Sequence, residues 1–288
     1  DYDQDLWQAM VESGLTGILV PEDQGGMEFG LVSAGLVARE VGRRLALTPF
    51  LSTAVLGAIA IGRGGNDDQK SRWLGPIASG ELIVALALDE SAKHRPERVA
   101  TQATAAGDGY TVTGQKTLVL DAANAGVFIV SAMLDGTPRL FAVEIGAGTV
   151  DVEPVVSLDT RSMADVRFDA AQAELLDGDD NTLDAVLDAG RAMLAMELVG
   201  LSRAVFERTL TYLSERKQFG QRIGSFQALQ HRAAHLSVEI EISEAMAFQA
   251  LAAFDSGADD ASQQILAAKA RAAETARLAS AEGVQMHG

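Results

Sequence analysis

Across 288 residues the chain carries 40 acidic and 23 basic side chains, a net charge of -17, with 48% apolar residues and no cysteine. The apolar fraction suffices for a sizeable core, while the negative charge repels nucleic-acid backbones and anionic membranes and leaves phosphate binding only to local sites built from arginines or helix N-termini. Disulfides, thiolate metal sites and thiol catalysis are excluded on this chain.

The first residues, Asp1 to Asp5, are acidic where a secretory signal is basic, so no targeting segment is expected and the cytoplasm is the default location. From Asp5 to Gly80 the pattern is helical, with Leu6, Met10 and Val11 and then Leu31, Ala34, Val37 and Val41 recurring on one face. Breaks are expected at Gly14, at Pro21 to Gly26 and at Gly62 to Gly65, where the glycines read as turns and lack the setting of a phosphate-binding fingerprint. At Glu81 the texture changes to short β-branched segments. Gly107-Asp108-Gly109 reads as a hairpin turn between Val99 to Thr104 and Tyr110 to Thr113, and Val127 to Ala132, Arg139 to Ile145 and Val166 to Phe168 continue the strands of a sandwich or barrel. After Asp177-Gly178-Asp179-Asp180 helical patterns run to the end, starting at Asn181 to Asp184 and broken at Gly224-Ser225 and at Ser256 to Asp259. The longest apolar stretches, Ser52 to Gly62 and Val127 to Met133, are shorter than the roughly 18 to 20 residues that cross a bilayer, so no membrane insertion is expected. The expected fold is α+β: an N-terminal helical domain over residues 1–80, a middle antiparallel β domain over 81–178 and a C-terminal helical bundle over 179–288.

The segment most informative for function is Tyr212 to His235, YLSERKQFGQRIGSFQALQHRAAH. Arg216 offers a planar fork suited to a pyrophosphate, and Phe219, three residues on, falls on the same side of a helix and can pack against a flat ring system. His231 and His235 have the spacing of a metal pair but no third ligand, so no metal is expected. Glu239 and Glu241 read as helix surface.

Arg216, Gln218, Phe219, Gly220, Ile223, Phe226, Gln227 and Gln230 together resemble the helix-turn-helix signature of the acyl-CoA dehydrogenase family, and the order helices, sheet, helices matches that family's fold over nearly the whole chain. The resemblance implies FAD as cofactor, with Arg216, Gln218, Phe219, Ile223 and Gln227 binding it and the arginine, phenylalanine and glutamine among them reaching the FAD of a neighbouring subunit. Glu282 to Gly288 is similar to the segment that binds the adenosine end of that FAD, and Gln285 and Gly288 are the residues carried over. Arg191 matches an arginine near the acyl-thioester pocket. In some members the preceding residue is the catalytic glutamate; here Gly190 stands there and cannot take a proton. In most members the base lies past the position of Gly288, so it is expected from beyond that residue or from a partner.

Two stretches depart from the family pattern. The place of the flavin-holding Thr-Glu-Pro-Gly-Ala-Gly-Ser-Asp stretch reads Asp89-Glu90-Ser91-Ala92, and the Lys-x-Trp-Ile-Thr stretch reads Lys116-Thr117-Leu118-Val119-Leu120-Asp121. Leucines there remove an aromatic wall and a hydroxyl donor. This divergence resembles the smaller subunit of two-subunit dehydrogenases of the pimeloyl-CoA or sterol side-chain type. The activity implied is α,β-desaturation of an acyl-CoA in an assembly with a homologous subunit, as in a heterotetramer, or with further copies as a homotetramer, passing electrons to an acceptor flavoprotein. Two other readings stand: a non-catalytic scaffold subunit that completes its partner's FAD site, and a flavin acyl-CoA oxidase using oxygen. Fatty, dicarboxylic and steroid side-chain acyl groups all fit, with the resemblance leaning to bulky or dicarboxylic ones.

Overall fold

The computed structural model describes residues 2–107, 109–146, 148–178 and 181–288. Asp108 of the expected hairpin turn, and Asp179 and Asp180 of the expected break, lie outside the described residues. Helices α1 (Gln4–Glu12), α2 (Gly30–Arg44), α3 (Ala58–Gly64) and α4 (Asp67–Ala78) precede the sheet. Strands β1 (Val84–Ala87), β2 (Gln102–Ala106), β3 (Gly109–Leu120), β4 (Val127–Leu134), β5 (Thr137–Glu144), β6 (Val150–Val155) and β7 (Met163–Leu176) follow. The chain ends with α5 (Thr182–Glu215), a short hairpin of β8 (Lys217–Gln218) and β9 (Gln221–Arg222), then α6 (Gln227–Asp255) and α7 (Ala261–His287). The α+β class and its order of helices, sheet and helices hold. Among the described residues no helix is long and apolar enough to cross a membrane.

Contacts gather these elements into two compact units, one of Asp1–Phe29 with Leu47–Leu187 and one of Gly30–Ala46 with Asp188–Gly288. In the first, Asp3 caps α1 by accepting from the Leu6 N–H at 3.0 Å, and Asn66 and Gln69 close a reciprocal capping box on α4 with two bonds of 2.9 Å. Gly62, expected in a turn, lies inside α3, which follows directly on a π-helical stretch over Phe50–Gly57.

Strand pairing runs β4-β2-β3-β7-β5 and returns to β4, closing a five-stranded barrel with β1 and β6 attached to β4 and β7. Pairing is antiparallel except for β1 and β2 against β4, where the chain crosses over before returning to β4. β4 is buried on both faces: Phe128, Val130 and Ala132 join the cluster containing Phe141, Val166 and Phe168, while Val127 and Ile129 join the one containing Trp73, Leu74 and Ile77. That double burial explains its continuous apolar run. β6 had no such signature, because its residues alternate between half-buried and exposed.

In the second unit α2 joins the helices of the C-terminal half. Asp255, the last residue of α6, accepts from the N–H groups of Leu31 and Val32 at 2.7 and 2.9 Å, which puts a carboxylate at the positive end of α2. Farther along α2, Arg39 and Arg203 both grip Glu244, at 2.7 Å and 2.8 Å. Gly42 and Gly200 let α2 and α5 touch backbone to backbone, since a Cβ at Gly42 would collide with the Glu197 carbonyl and one at Gly200 with the Arg39 carbonyl.

Candidate functional site

Arg216 and Phe219 do not share a helical face. α5 ends at Glu215, and Gln218 pairs with Gln221 across a two-residue turn formed by Phe219 and Gly220, whose φ angles are 52° and 78°. Two consecutive left-handed residues are what a tight hairpin requires, and Gly220 carries the second at no steric cost. The turn thrusts Phe219 outward, 90% exposed, with an edge contact to the Phe226 ring at 6.2 Å. Arg216 and Gln218 are also exposed, and Gln227 opens α6 on the surface. Arg216 has no carboxylate partner among the described residues. Ile223 differs: it is half-buried and packs on the cluster of Leu213, Leu236 and Met286, and its N–H donates to the Arg216 carbonyl at 2.9 Å. It anchors the hairpin. Gln230 does the same by donating to the Gly224 carbonyl at 2.9 Å.

The second block of sequence arrives at the same end of this unit. Tyr212 stacks on His287 with centroids 4.3 Å apart, and Arg232 grips Glu282 through two bonds of 2.6 and 3.0 Å. Gly283 packs against α5, where a Cβ would lie 2.8 Å from Val205 Cγ1. These contacts set the end of α7 beside both the end of α5 and the start of α6. Gln285 and Gly288 are exposed there. The result is a solvent-facing set of one aromatic ring, one guanidinium and three amides. An unburied Phe is costly unless something covers it. A ring system, a pyrophosphate and a nucleoside match these donors in kind, so the residues present fit a flavin dinucleotide. Tyr212, His287, Arg232 and Glu282, which bring the two blocks together, lie within those segments but are not among the residues that carried the resemblance.

Arg191 lies on α5, where its Nη1 donates to Asp188 Oδ1 at 2.7 Å, and Gly190 beside it offers no side chain for proton transfer. His235 stands 3.6 Å from Glu239, which also pairs with Arg271; Glu239 is therefore committed to an ion pair across α6 and α7 and is not plain helix surface.

In the first unit, Lys116 is fully buried, and its Nζ donates to the Leu88 carbonyl at 3.0 Å, Glu90 Oε1 at 2.8 Å and Ser131 Oγ at 3.0 Å. All three ammonium donors are used, so Lys116 fastens the Leu88 to Glu90 segment and has none left for a ligand. Burial pulls the Lys116 ammonium below the ordinary lysine range, against the attraction of Glu90. Burial pushes on Glu90 the other way, yet Lys116 and the N–H groups of Thr101 and Ala100 hold its carboxyl below the usual range. Leu118 sits at a bulge in β3 with φ 52°, its N–H donating to Asp165 Oδ1 at 3.0 Å and its side chain 39% exposed.

Asp121, at the end of this stretch, is buried with φ 59° and accepts from Ser52 Oγ at 2.6 Å, while its N–H donates to the Ser162 carbonyl at 2.8 Å. Burial pushes its carboxyl up to about 6, against the Ser52 hydrogen bond and the charge of Arg161. Nothing in the local sequence marks this pair, because Ser52 and Asp121 meet only through the packing of the π-helical stretch on the sheet.

Comparison with known proteins agrees with this layout. Residues 1–81 match the family described as acyl-CoA dehydrogenase, N-terminal domain, and residues 178–288 match acyl-CoA dehydrogenase, C-terminal domain. The chain is 30% identical over 309 residues to the probable acyl-CoA dehydrogenase YngJ of Bacillus subtilis, covering 100% of this chain and 80% of that protein. Among solved structures, the Tcur3481-Tcur3483 steroid ACAD G363A variant superposes with a TM-score of 0.92 at 30% identity, over 100% of this chain and 78% of that one. The ChsE4-ChsE5 complex from Mycobacterium tuberculosis gives a TM-score of 0.90 at 26% identity, over 100% and 78%.

Proposed function

The chain belongs to the acyl-CoA dehydrogenase family of flavoprotein oxidoreductases, and we propose that it works as one subunit of a paired assembly that desaturates an acyl-CoA thioester between its α and β carbons. The observation that carries this reading is the convergence of the Arg216 to Gln227 hairpin and the Glu282 to Gly288 segment at one end of the helical unit, with Phe219 left bare. Arg216 would hold a pyrophosphate, Phe219 would cover one side of a planar ring, and Gln218, Gln227 and Gln285 would bond the remaining polar edge, Gly288 giving the backbone room to approach. These side chains face outward, so the FAD they hold belongs to an adjoining subunit. The bound flavin supplies the hydride acceptor. This chain contributes binding and orientation, and Arg191 lies near the acyl thioester. Gly190 leaves proton abstraction to a carboxylate from beyond Gly288 or from the partner. Partner and acceptor are a homologous dehydrogenase subunit and an electron-accepting flavoprotein.

Leu118 and Leu120 favour a second reading, in which this chain is a scaffold that completes its partner's flavin site and keeps no flavin of its own. Bound flavin per protomer, read by absorbance on the chain alone and co-expressed with a homologous subunit, separates the readings. A colourless lone chain with a half-loaded pair supports the scaffold. Full loading on both chains supports two working sites, and about one flavin per protomer on the lone chain defeats the obligate pair.

A further inference from the structure

In the first unit, two buried acceptors compete for the single hydrogen of the Ser52 hydroxyl. Ser52 Oγ lies 2.6 Å from Asp121 Oδ2 and 3.1 Å from the Pro49 carbonyl, and both Ser52 and Asp121 are buried. One hydrogen cannot serve both acceptors at once. With Asp121 ionised, Ser52 turns to the carboxylate, and the Pro49 carbonyl keeps only the Thr53 N–H, at 2.9 Å. With Asp121 protonated, the carboxyl donates to Ser52 Oγ and the Ser52 hydrogen goes to Pro49. The groups at both ends of this chain lie in irregular backbone. Ser52 belongs to the π-helical stretch Phe50–Gly57, which Thr53 fixes to β1 by bonding the Val84 carbonyl and N–H at 3.2 and 3.0 Å. Asp121 follows β3 at φ 59°, three residues after Leu118 at φ 52°, so two left-handed side-chain-bearing residues strain that strand end. The charges acting on Asp121 are Arg161, on the loop before β7, and the chain's amino terminus; Arg161 also pairs with Asp159 at 3.4 Å. Neither the π-helical stretch nor the turn Ala122–Asn124 carries an ionisable side chain.

We propose that Asp121, Ser52 and Pro49 form a proton-operated latch: a neutral Asp121 ties the end of β3 through Ser52 to the start of the π-helical stretch, and an ionised Asp121 breaks the tie to Pro49. One solvent proton adds to Asp121 Oδ2, while Ser52 keeps its own hydrogen and swings it from Oδ2 to the Pro49 carbonyl. Only hydrogen bonds change partners. Burial lifts the Asp121 carboxyl to about 6, so the latch closes as the pH falls through that value. The device stands on these contacts alone and is independent of the functional reading above.

The test follows the carbon-13 NMR signals of the Asp121 carboxyl and the Pro49 carbonyl in the purified protein from about pH 4 to about pH 8. In wild type the two signals should move together, with one midpoint. Asp121→Asn should leave Pro49 flat. Ser52→Ala separates the latch from a plain field effect: Asp121 should still titrate, with its midpoint raised because the Ser52 hydrogen bond that lowered it is gone, while the Pro49 shift is lost. Ser52→Cys, close in size and only a weak donor, takes the place of Ser52→Ala if that variant misfolds, and should shrink the Pro49 shift. An Asp121 carboxyl that does not titrate in this range overturns the latch. So does a Pro49 carbonyl that titrates as fully in the Ser52 variant as in wild type, since the charge of Asp121 would then act without the hydroxyl.

Discussion

Tyr212 stacks on His287 with ring planes 11° apart, and its phenol donates to the His287 carbonyl at 3.2 Å. This single contact ties the residue four positions before Arg216 to the one two positions after Gln285. Replacing Tyr212 by Ala should cost about 1 kcal/mol of stacking and loosen the segment from the hairpin. Flavin retained per assembly after gel filtration should fall several-fold while global unfolding shifts little. Unchanged retention would mean the two blocks do not act on one ligand.

Phe219 tests the same ligand from the other side. At 90% exposure it contributes little to folding, so Phe219→Ala should change stability by less than about 0.5 kcal/mol. The loss should appear instead in flavin affinity, read by fluorescence titration. A large fall in melting temperature with flavin binding intact would assign Phe219 to packing.

Asp255 caps a helix that is remote in sequence. Asp255→Ala leaves the N–H groups of Leu31 and Val32 without their acceptor and removes a charge from the positive end of α2, at a cost of about 1 to 2 kcal/mol in urea unfolding. Asp255→Asn should recover part of that, since the amide oxygen still accepts. If both variants unfold with wild type, the cap contributes nothing.

Asp121 opposes folding once ionised. Its carboxyl titrates at 3.8 when free and at about 6 when folded, because burial disfavours the charge. The stability of its neutral form is whole below pH 3.8 and is lost as the pH rises through about 6, amounting to about 3 kcal/mol at neutrality. Asp121→Asn tolerates the φ of 59° and still accepts from Ser52. The variant should match wild type near pH 4 and exceed it near pH 7 in thermal melts. A pH-independent gap would contradict the assignment.

Glu244 shows the opposite dependence. Burial disfavours its charge, but Arg203 and Arg39 outweigh that and hold the carboxyl below its ordinary 4.5. Its contribution is present above that value and is lost as the pH falls through the lower, folded one. Glu244→Ala strands two guanidiniums and should destabilise by about 3 kcal/mol at pH 7 in denaturant melts, with the deficit shrinking on acidification. A deficit that stays constant with pH would point to packing in place of charge.

The class and order of the fold were legible because they rest on periodicity. Leu6 and Met10 mark α1, Val84 to Leu86 mark β1, and the Thr182 start of α5 follows a run of turn residues. The parts of the candidate site were legible as residue types, since a guanidinium, an aromatic ring and amides keep their chemistry wherever the chain puts them. Their geometry was not. Helical spacing put Arg216 and Phe219 on one face, but Gly220 allowed a hairpin whose two left-handed residues turn Phe219 outward.

The sequence by itself determined the order of helices, sheet and helices and which side chains can bond an anion or cover a ring, because both rest on local pattern and residue chemistry. Only the tertiary structure decided that Tyr212 meets His287, that Asp255 caps α2, that Ser52 reaches Asp121 and that Lys116 is used up inside the barrel. Each of those pairs lies tens to hundreds of residues apart or depends on burial, and burial is set by the packed whole, which no local window of sequence contains.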